Sequence, residues 1–427
     1  MSRCQTATPR ASRAIALMGL LTLLVTPAAG CADAPGSGGA GGSEATTSAP
    51  PARVEISVTD GATDVAADSV ITVRVAGGRL DTVSIASADG KRTVAGAVGP
   101  DQVWSSTGRL VPTTTYRVTA TTRSDGGAQT TNTATFTTRA PGKTVGYTVT
   151  PDGWTVGAGM PIQVNFDAPI PKDARAGIEK QLTVASAPAQ PGGWGWTSDV
   201  TLMYRPQNYW AAGTTIDVSA PLAGTKVGPN AYLMEDNGAK LTIGVQRILR
   251  VDLAKHTMTD TENGKLVRSF LISGGRPGER FETRGGTKVV TDKFDKIVMD
   301  SSTFGINKGD PDYYKTPVNY AMRLTDSGEF LHSAPWSVGQ QGYANVSHGC
   351  INMAPGDALW LFNRIQSGDV VETTGSNYPL PPGEAGIPVW LYTWPQWQAM
   401  SAVPPPATPT TSPPSAAATA KATSSVS

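Results

Sequence analysis

The sequence predicts a mainly β protein: two immunoglobulin-like sandwiches followed by a third β-rich block. Three observations predict this. Apolar and polar residues alternate at period two from about residue 53 onward. The alternating segments recur after about 90 to 100 residues, one small sandwich per repeat. Charged residues are only 16% of the chain, while Gly, Thr, Ala and Val are plentiful. Lys and Arg (35) nearly balance Asp and Glu (34), a formal net charge of +1, which argues against a nucleic-acid partner.

The first 30 residues read as a secretory signal. Arg3, Arg10 and Arg13 form a basic start, Ala14 to Val25 an apolar run too short to span a bilayer comfortably, and Pro27-Ala28-Ala29-Gly30 a small-residue stretch before Cys31. Ala28-Ala29-Gly30-Cys31 is also a relaxed lipobox, which would make Cys31 the lipidated mature N-terminus; ordinary cleavage would leave it a free surface thiol. Residues 31–52, rich in Gly, Ala, Ser and Thr, form a flexible tether.

The first sandwich is expected over 53–140. Ile71, Val73 and Val75 alternate with Thr72 and Arg74, and Tyr116, Val118 and Ala120 with Arg117 and Thr119. Asp89-Gly90 and Asp125-Gly126-Gly127 are hairpin turns. The second sandwich is expected over 143–245, where Ile162-Gln163-Val164-Asn165-Phe166 and Thr215-Ile216-Asp217-Val218-Ser219-Ala220 repeat those two strands. Neither sandwich carries a Cys pair, a His cluster or a phosphate loop, so both are expected to be spacers. Trp194 and Trp196 read as rim packing or as a ligand patch.

The third block is expected over 246–372. It opens with the strand Ile248 to Leu253, turns at Asn263-Gly264, and holds a helix from Pro355 to Ile365 with Ala358, Leu361, Phe362 and Ile365 on one face, stopped by Ser367-Gly368. Residues 373–402, with Trp390, Trp394 and Trp397, form a subdomain expected to pack on this block. The Pro/Ala/Thr/Ser tail, 403–427, should be disordered.

Chemistry concentrates in the third block. Of three cysteines, Cys4 lies in the signal and Cys31 at the anchor, so Cys350 is an unpaired thiol in an exported protein. It stands in Ser347-His348-Gly349-Cys350-Ile351-Asn352, with His332-Ser333 upstream. His332 is a candidate base for the thiol, its other nitrogen oriented by a backbone carbonyl near Ser333, and the amides of Gly349 and Cys350 are candidates to hold an oxyanion. The competing reading is a zinc site of His332, His348 and Cys350; composition does not separate the two. His256 reads as a satisfied polar residue.

These residues resemble the L,D-transpeptidases, peptidoglycan cross-linkers with a YkuD-type cysteine catalytic domain. Their signature is a His, a spacer, then Ser/Thr-His-Gly-Cys-hydrophobic-Asn, matched here by His332 and Ser347 to Asn352. Met299-Asp300-Ser301-Ser302-Thr303, Tyr313-Tyr314-Lys315-Thr316 and the stretch from His332 to Gly339 carry the likeness further, and the whole plan resembles actinobacterial lipoprotein members with two immunoglobulin-like domains. The resemblance implies Cys350 as nucleophile, His332 as base and the Ser333 backbone as its orienter. It places Gly349, Cys350 and the Tyr314 hydroxyl around the oxyanion, and Met299, Trp336, Ser347, His348 and Asn352 around substrate. It also implies a lid hairpin over the Cys at about 300–325. Phe304 stands where a Tyr is common, and Thr283-Arg284-Gly285-Gly286 departs from the usual Thr-Pro-x-Gly turn.

The implied chemistry is a metal-free, cofactor-free 3→3 cross-link between peptidoglycan stem peptides, through a Cys350 thioester, on the outer face of the cytoplasmic membrane with a lipid anchor at Cys31. Carbapenem-type β-lactams are the implied inhibitors. The alternatives are an L,D-carboxypeptidase that trims stems and a non-catalytic wall-binding scaffold.

Overall fold

The structure, a computed structural model, describes residues 52–403. The signal segment, Cys31 with the tether up to residue 51, and the tail beyond Val403 lie outside the described residues.

Alternation becomes two sandwiches. In the first, a four-stranded sheet (Arg53–Ile56, Thr72–Ala76, Trp104–Ser106, Gly96–Val98) faces a five-stranded one (Ala62–Val65, Gln129–Thr138, Thr115–Ser124, Gly78–Ser87, Thr93–Val94). Tyr116, Val118 and Ala120 fill the gap between them with Ile71, Val73 and Phe136, all fully buried. Gly90 and Gly127 take φ of +71° and +87°, which L side chains rarely adopt, and so close the two hairpins.

The second sandwich repeats the plan. Ile162–Phe166 sits between Tyr147–Thr150 and Thr201–Pro206, as Thr72–Ala76 sits between its neighbours. Thr215–Ala220 sits between Asn237–Ile243 and Thr183–Ala187, as Thr115–Ser124 does between its own. One element was not anticipated: the helix Lys172–Glu179, whose Ile178 enters the core.

The third block is a nine-stranded mixed sheet. Its order is Gly286–Val289, Val370–Thr374, Arg247–Asp252, Thr257–Glu262, Lys265–Ser273, Ile351–Met353, Phe330–Ser333, Lys315–Arg323, Lys293–Asp300. Leu249, Val251, Phe270, Ile272, Leu331, Ile351 and Met353 form its core. Asn263 and Gly264 both take positive φ, +50° and +79°, as a tight hairpin demands. The regular helix is Pro355–Phe362, shorter than expected. Ile365 still reaches the core through one looser turn, its amide bonded to Leu361 O, and Gly368 (φ +97°) ends the excursion.

The C-terminal subdomain packs on the third block, as expected: Leu380 N donates to Gly285 O (2.8 Å), Asp326 N to Glu384 O (2.8 Å), and Leu391 lies against Gly286. Its tryptophans also reach the second sandwich, which was not expected. The cause is Arg205, buried in the strand Thr201–Pro206. Its guanidinium lies 4.6, 5.3 and 5.5 Å from the ring centres of Trp390, Trp394 and Trp397 and donates to Tyr392 O at 3.0 Å. Burial pulls its pKa down to about 10, so the charge is held by ring faces and carbonyls rather than by water. Trp390 Nε1 donates to Gly159 O (2.7 Å) and Trp397 Nε1 to Gly193 O (2.9 Å). Trp194 and Trp196 belong to this packing. Trp196 Nε1 donates to buried Glu179 (2.6 Å), which also accepts Ala402 N (2.7 Å).

The second sandwich and catalytic domain therefore share a core in which Val289, Ile387, Val389 and Trp397 meet Ile162 and Trp210. Gly157 and Gly159 donate to Ser367 O and Gly368 O, both at 2.8 Å; a Cβ on Gly157 would lie 2.1 Å from Asp369 N, so only glycine permits this approach. The second sandwich is thus packed on the catalytic domain, a contact the spacer expectation did not include. The first sandwich meets the second through part-exposed pairs such as Arg92–Asp236 (2.5 Å) and Lys226–Asp68 (2.7 Å), with Arg109 donating to Pro221 O (2.6 Å), and through a close approach of Gly224 to the Leu110 backbone.

A chain starting at Lys143 should keep the melting temperature of the catalytic body. A chain starting at Gln246 exposes four buried apolar side chains and should lose on the order of 5 kcal/mol. Calorimetry of both truncations checks this; equal stability would mean the shared core is not structural.

Candidate active site

Two short strands fix the site. Phe330–Ser333 and Ile351–Met353 pair in parallel with Leu331 opposite Ile351, His332 opposite Asn352, and Ser333 opposite Met353. Leu331, Ile351 and Met353 point into the core, so period-two alternation turns His332 and Asn352 to the other face. Cys350 stands one residue before the second strand. His332, Asn352 and Cys350 are 3%, 2% and 6% exposed and line one cleft of about 470 Å³. Met299, Tyr314, Trp336, Ser347 and His348 line it too.

Each side chain is held. His332 Nδ1 lies 2.9 Å from Ser333 O. A carbonyl only accepts, so Nδ1 carries the proton and Nε2 keeps its lone pair. Burial pulls the His332 pKa down to about 4, partly opposed by that hydrogen bond, which keeps the imidazole neutral at ordinary pH. Asn352 Nδ2 donates to Ser337 Oγ at 3.0 Å. The Cys350 thiol donates to Gly328 O at 3.6 Å. Burial pushes its pKa up to about 12; Glu329 adds to the rise, while a hydrogen bond from the Phe330 backbone and the charges of Lys288 and Arg323 oppose it. The resting pair is therefore neutral thiol and neutral imidazole.

One oxyanion expectation is revised. Gly349 (φ +126°) donates its amide to Ser347 Oγ at 3.1 Å, and Ser347 Oγ donates to Cys350 O at 2.5 Å. Ser347 thus staples the turn that presents the thiol, besides lining the cleft, and the Gly349 amide is occupied at rest. The Cys350 amide and the Tyr314 hydroxyl remain as the expected donors. Tyr314 is half-buried, and burial followed by the neighbouring Cys350 raises its pKa, so the phenol keeps its proton.

The lid is longer than expected. The hairpin Lys293–Asp300 and Lys315–Arg323 is the edge of the nine-stranded sheet, and only its tip is irregular. Asp300 caps the short 3-10 turn Ser301–Phe304 through Ser302 N (3.0 Å) and pairs with Lys315 (2.9 Å); the Ser302 hydroxyl, then Lys315, bring its pKa down to about 2. Arg276 pairs with Asp312, and Arg280 with Asp310 (2.6 Å) and Asp312 (3.0 Å), so the tip is strapped to the loop before Thr283. His348 lies between the Phe281 and Tyr314 rings, both 4.9 Å away, with Nε2 4.0 Å from Asp312. Burial, then Arg276, lowers its pKa. The Phe304 ring covers Gly328, where any Cβ would collide with it.

The three residues of the zinc reading do not gather as ligands: among the described residues no group of three or more His, Cys, Asp or Glu is arranged to hold a metal ion. His256 is satisfied, its Nδ1 lying 3.0 Å from Asn345 Oδ1. Sequence reasoning missed Thr316 and Val318, which continue the Tyr314 face at period two and were findable by that alternation. It also missed Thr283, whose hydroxyl donates to Gly349 O at 2.7 Å, and Glu329 and Lys288 behind the thiol. Nothing local in the sequence signals those three.

Residues 246–373 match the L,D-transpeptidase catalytic domain and residues 62–226 a bacterial Ig domain. L,D-transpeptidase 2 of Mycobacterium tuberculosis is 35% identical over 352 residues, 82% of this chain and 85% of that protein. L,D-transpeptidase 5 of the same species is 34% identical over 367 residues, 84% and 79% of the two chains. A solved structure of the transpeptidase LdtMt1 in complex with imipenem is 33% identical, covering 54% of this chain and 99% of that one, with a TM-score of 0.47. The chain belongs to the L,D-transpeptidase family.

The buried imidazole makes a pH prediction. With His332 as the expected base, only its neutral form can accept a proton from the expected nucleophile Cys350, so acylation should persist below pH 6.5 and fall as pH drops through about 4. The unfolded chain takes up that proton near pH 6.5 and the folded chain only near 4, so folding stability also declines across this window. Stopped-flow acylation with circular dichroism on the same samples separates the two effects. An acid limb at the ordinary histidine value would move the base away from His332.

Proposed function

We propose that this chain is a cysteine L,D-transpeptidase that forms 3→3 cross-links in peptidoglycan. The observation that carries the reading is the convergence of Cys350 and a Ser333-oriented, neutral His332 in one shielded cleft. Cys350 Sγ attacks the carbonyl carbon of the third stem residue while His332 Nε2 takes the thiol proton. The tetrahedral oxyanion is held by the Cys350 amide and the Tyr314 hydroxyl. Its collapse breaks the C–N bond, His332 returns the proton to the leaving amine, and D-Ala departs. A diaminopimelate side-chain amine of a second stem then attacks the thioester, His332 takes its proton, and the sulfur leaves as thiol. Met299, Trp336, His348 and Asn352 shape the cleft around the stem. No step requires a metal or cofactor.

A carbapenem presents a strained amide to the same thiol and should acylate it, opening the lactam ring by C–N cleavage. Cys31 would anchor the chain by lipid to the outer face of the cytoplasmic membrane.

Intact mass after incubation with a carbapenem is expected to show one adduct, absent in Cys350→Ala, with undiminished adduct formation in EDTA. Retained cross-linking by Cys350→Ala would overturn the nucleophile assignment. His332→Ala should slow acylation by on the order of 10²–10⁴. His348→Ala should cost less, because it borders the cleft without the carbonyl-oriented geometry of His332; the reverse order would swap the two roles.

A further inference from the structure

The catalytic domain buries an ion pair that the chemistry above does not use. Lys288, in the strand Gly286–Val289, is wholly shielded, and Glu329, just before Phe330–Ser333, is nearly so. Lys288 Nζ contacts Glu329 Oε2. The pair closes around one residue's backbone: Lys288 Nζ donates to Arg284 O at 2.7 Å, and Arg284 N donates to Glu329 Oε1 at 2.6 Å. Desolvating both charges is costly, and an apolar pair of the same volume is often as stable, so packing alone does not account for it.

What the pair adjoins is the thiol. Gly328, on one side of Glu329, accepts the Cys350 S–H, and Phe330, on the other, turns its backbone hydrogen bond to the sulfur. A Cβ on Gly349 would lie 3.8 Å from Glu329 Cγ. Thr283, next to Arg284, holds Gly349 O. The charged groups that act on the sulfur are Glu329, Lys288 and Arg323; Tyr314, His332 and His348 share the cleft.

We propose that the Lys288–Glu329 pair is a positioning device for Cys350: it locks the backbone that cradles the sulfur, and its opposite charges offset each other there. This rests on Cys350 as the nucleophile. Neither residue touches substrate; both act through the thiol. Glu329 disfavours the thiolate and Lys288 favours it, so removing one member unmasks the other.

The test uses the full chain and two rates read by intact mass: alkylation of Cys350 by iodoacetamide at about pH 8, which follows the thiolate fraction, and acylation by a carbapenem. Glu329→Gln should alkylate on the order of tenfold faster than wild type, and Lys288→Met on the order of tenfold slower. Glu329→Asp keeps the charge and should alkylate like wild type, which preserves a comparison with Lys288→Met if the Gln variant does not fold. Opposite-signed changes support the proposal. Unchanged or same-signed alkylation, with only the melting temperature lowered, reduces the pair to a structural tie and overturns it. If wild type forms no carbapenem adduct, the functional reading itself fails; if it does while the variants alkylate alike, only the role of the pair fails.

Discussion

The catalytic half of the molecule depends on one ladder, the parallel pairing of Phe330–Ser333 with Ile351–Met353. A shift of one residue in a strand reverses every side chain. It would send His332 or Asn352 into the core and Leu331 or Ile351 into the cleft. The register is held by burial of Leu331, Ile351 and Met353, by the extension of Phe330–Ser333 into the lid hairpin, and by Ser273 and Ile272 pairing on the far side. Residues distant in sequence are thus placed by backbone hydrogen bonds, the least deformable element available.

Burial has a second consequence. A pKa near 4 for His332 and near 12 for Cys350 stand the wrong way round for a ready-made thiolate–imidazolium pair. The thiol rests against Gly328 O, with no charge to attract solvent electrophiles or oxidants. Under the proposed mechanism, reactivity would come from the bound carbonyl, which develops negative charge as the proton leaves sulfur. The strapped lid tip and the packing of His348 against the edge-on Phe281 and tilted Tyr314 rings fix the wall of the cleft beside the thiol.

Sandwich count, the strands named from the sequence and most of the cleft residues were legible because period-two patterning and a dense motif are local signals. The Thr115 and Thr215 strands could be matched because equivalent positions in two sandwiches face the same packing problem. What escaped was set by distant contacts. Lys288 carries no local signal in the sequence, and only the fold brings Glu329 to it. The Gly349 amide looked available because Ser347 reads as part of the motif rather than as its staple. The C-terminal tryptophans were visible, but not their partner: Arg205 is one arginine among many until the sheet buries it.

That arginine also explains how labour is divided along the chain. A cation held by three indole faces and carbonyl oxygens favours rings over open water only while all of them stay packed, so the second sandwich, the tryptophan segment and the catalytic sheet edge are ordered together. The glycines at 157 and 159 press the same sandwich against Gly368 and Asp369. In strand order Gly286–Val289 and Lys293–Asp300 are the two ends of the catalytic sheet, yet residues 290–292 join them directly. Val290 N donates to Asp369 O (2.9 Å) and Thr291 N to Arg323 O (3.1 Å), so the base of the lid hairpin is tied to the segment that the second sandwich presses on. The tip of the hairpin is held separately, by the ion pairs of Arg276 and Arg280 with Asp310 and Asp312.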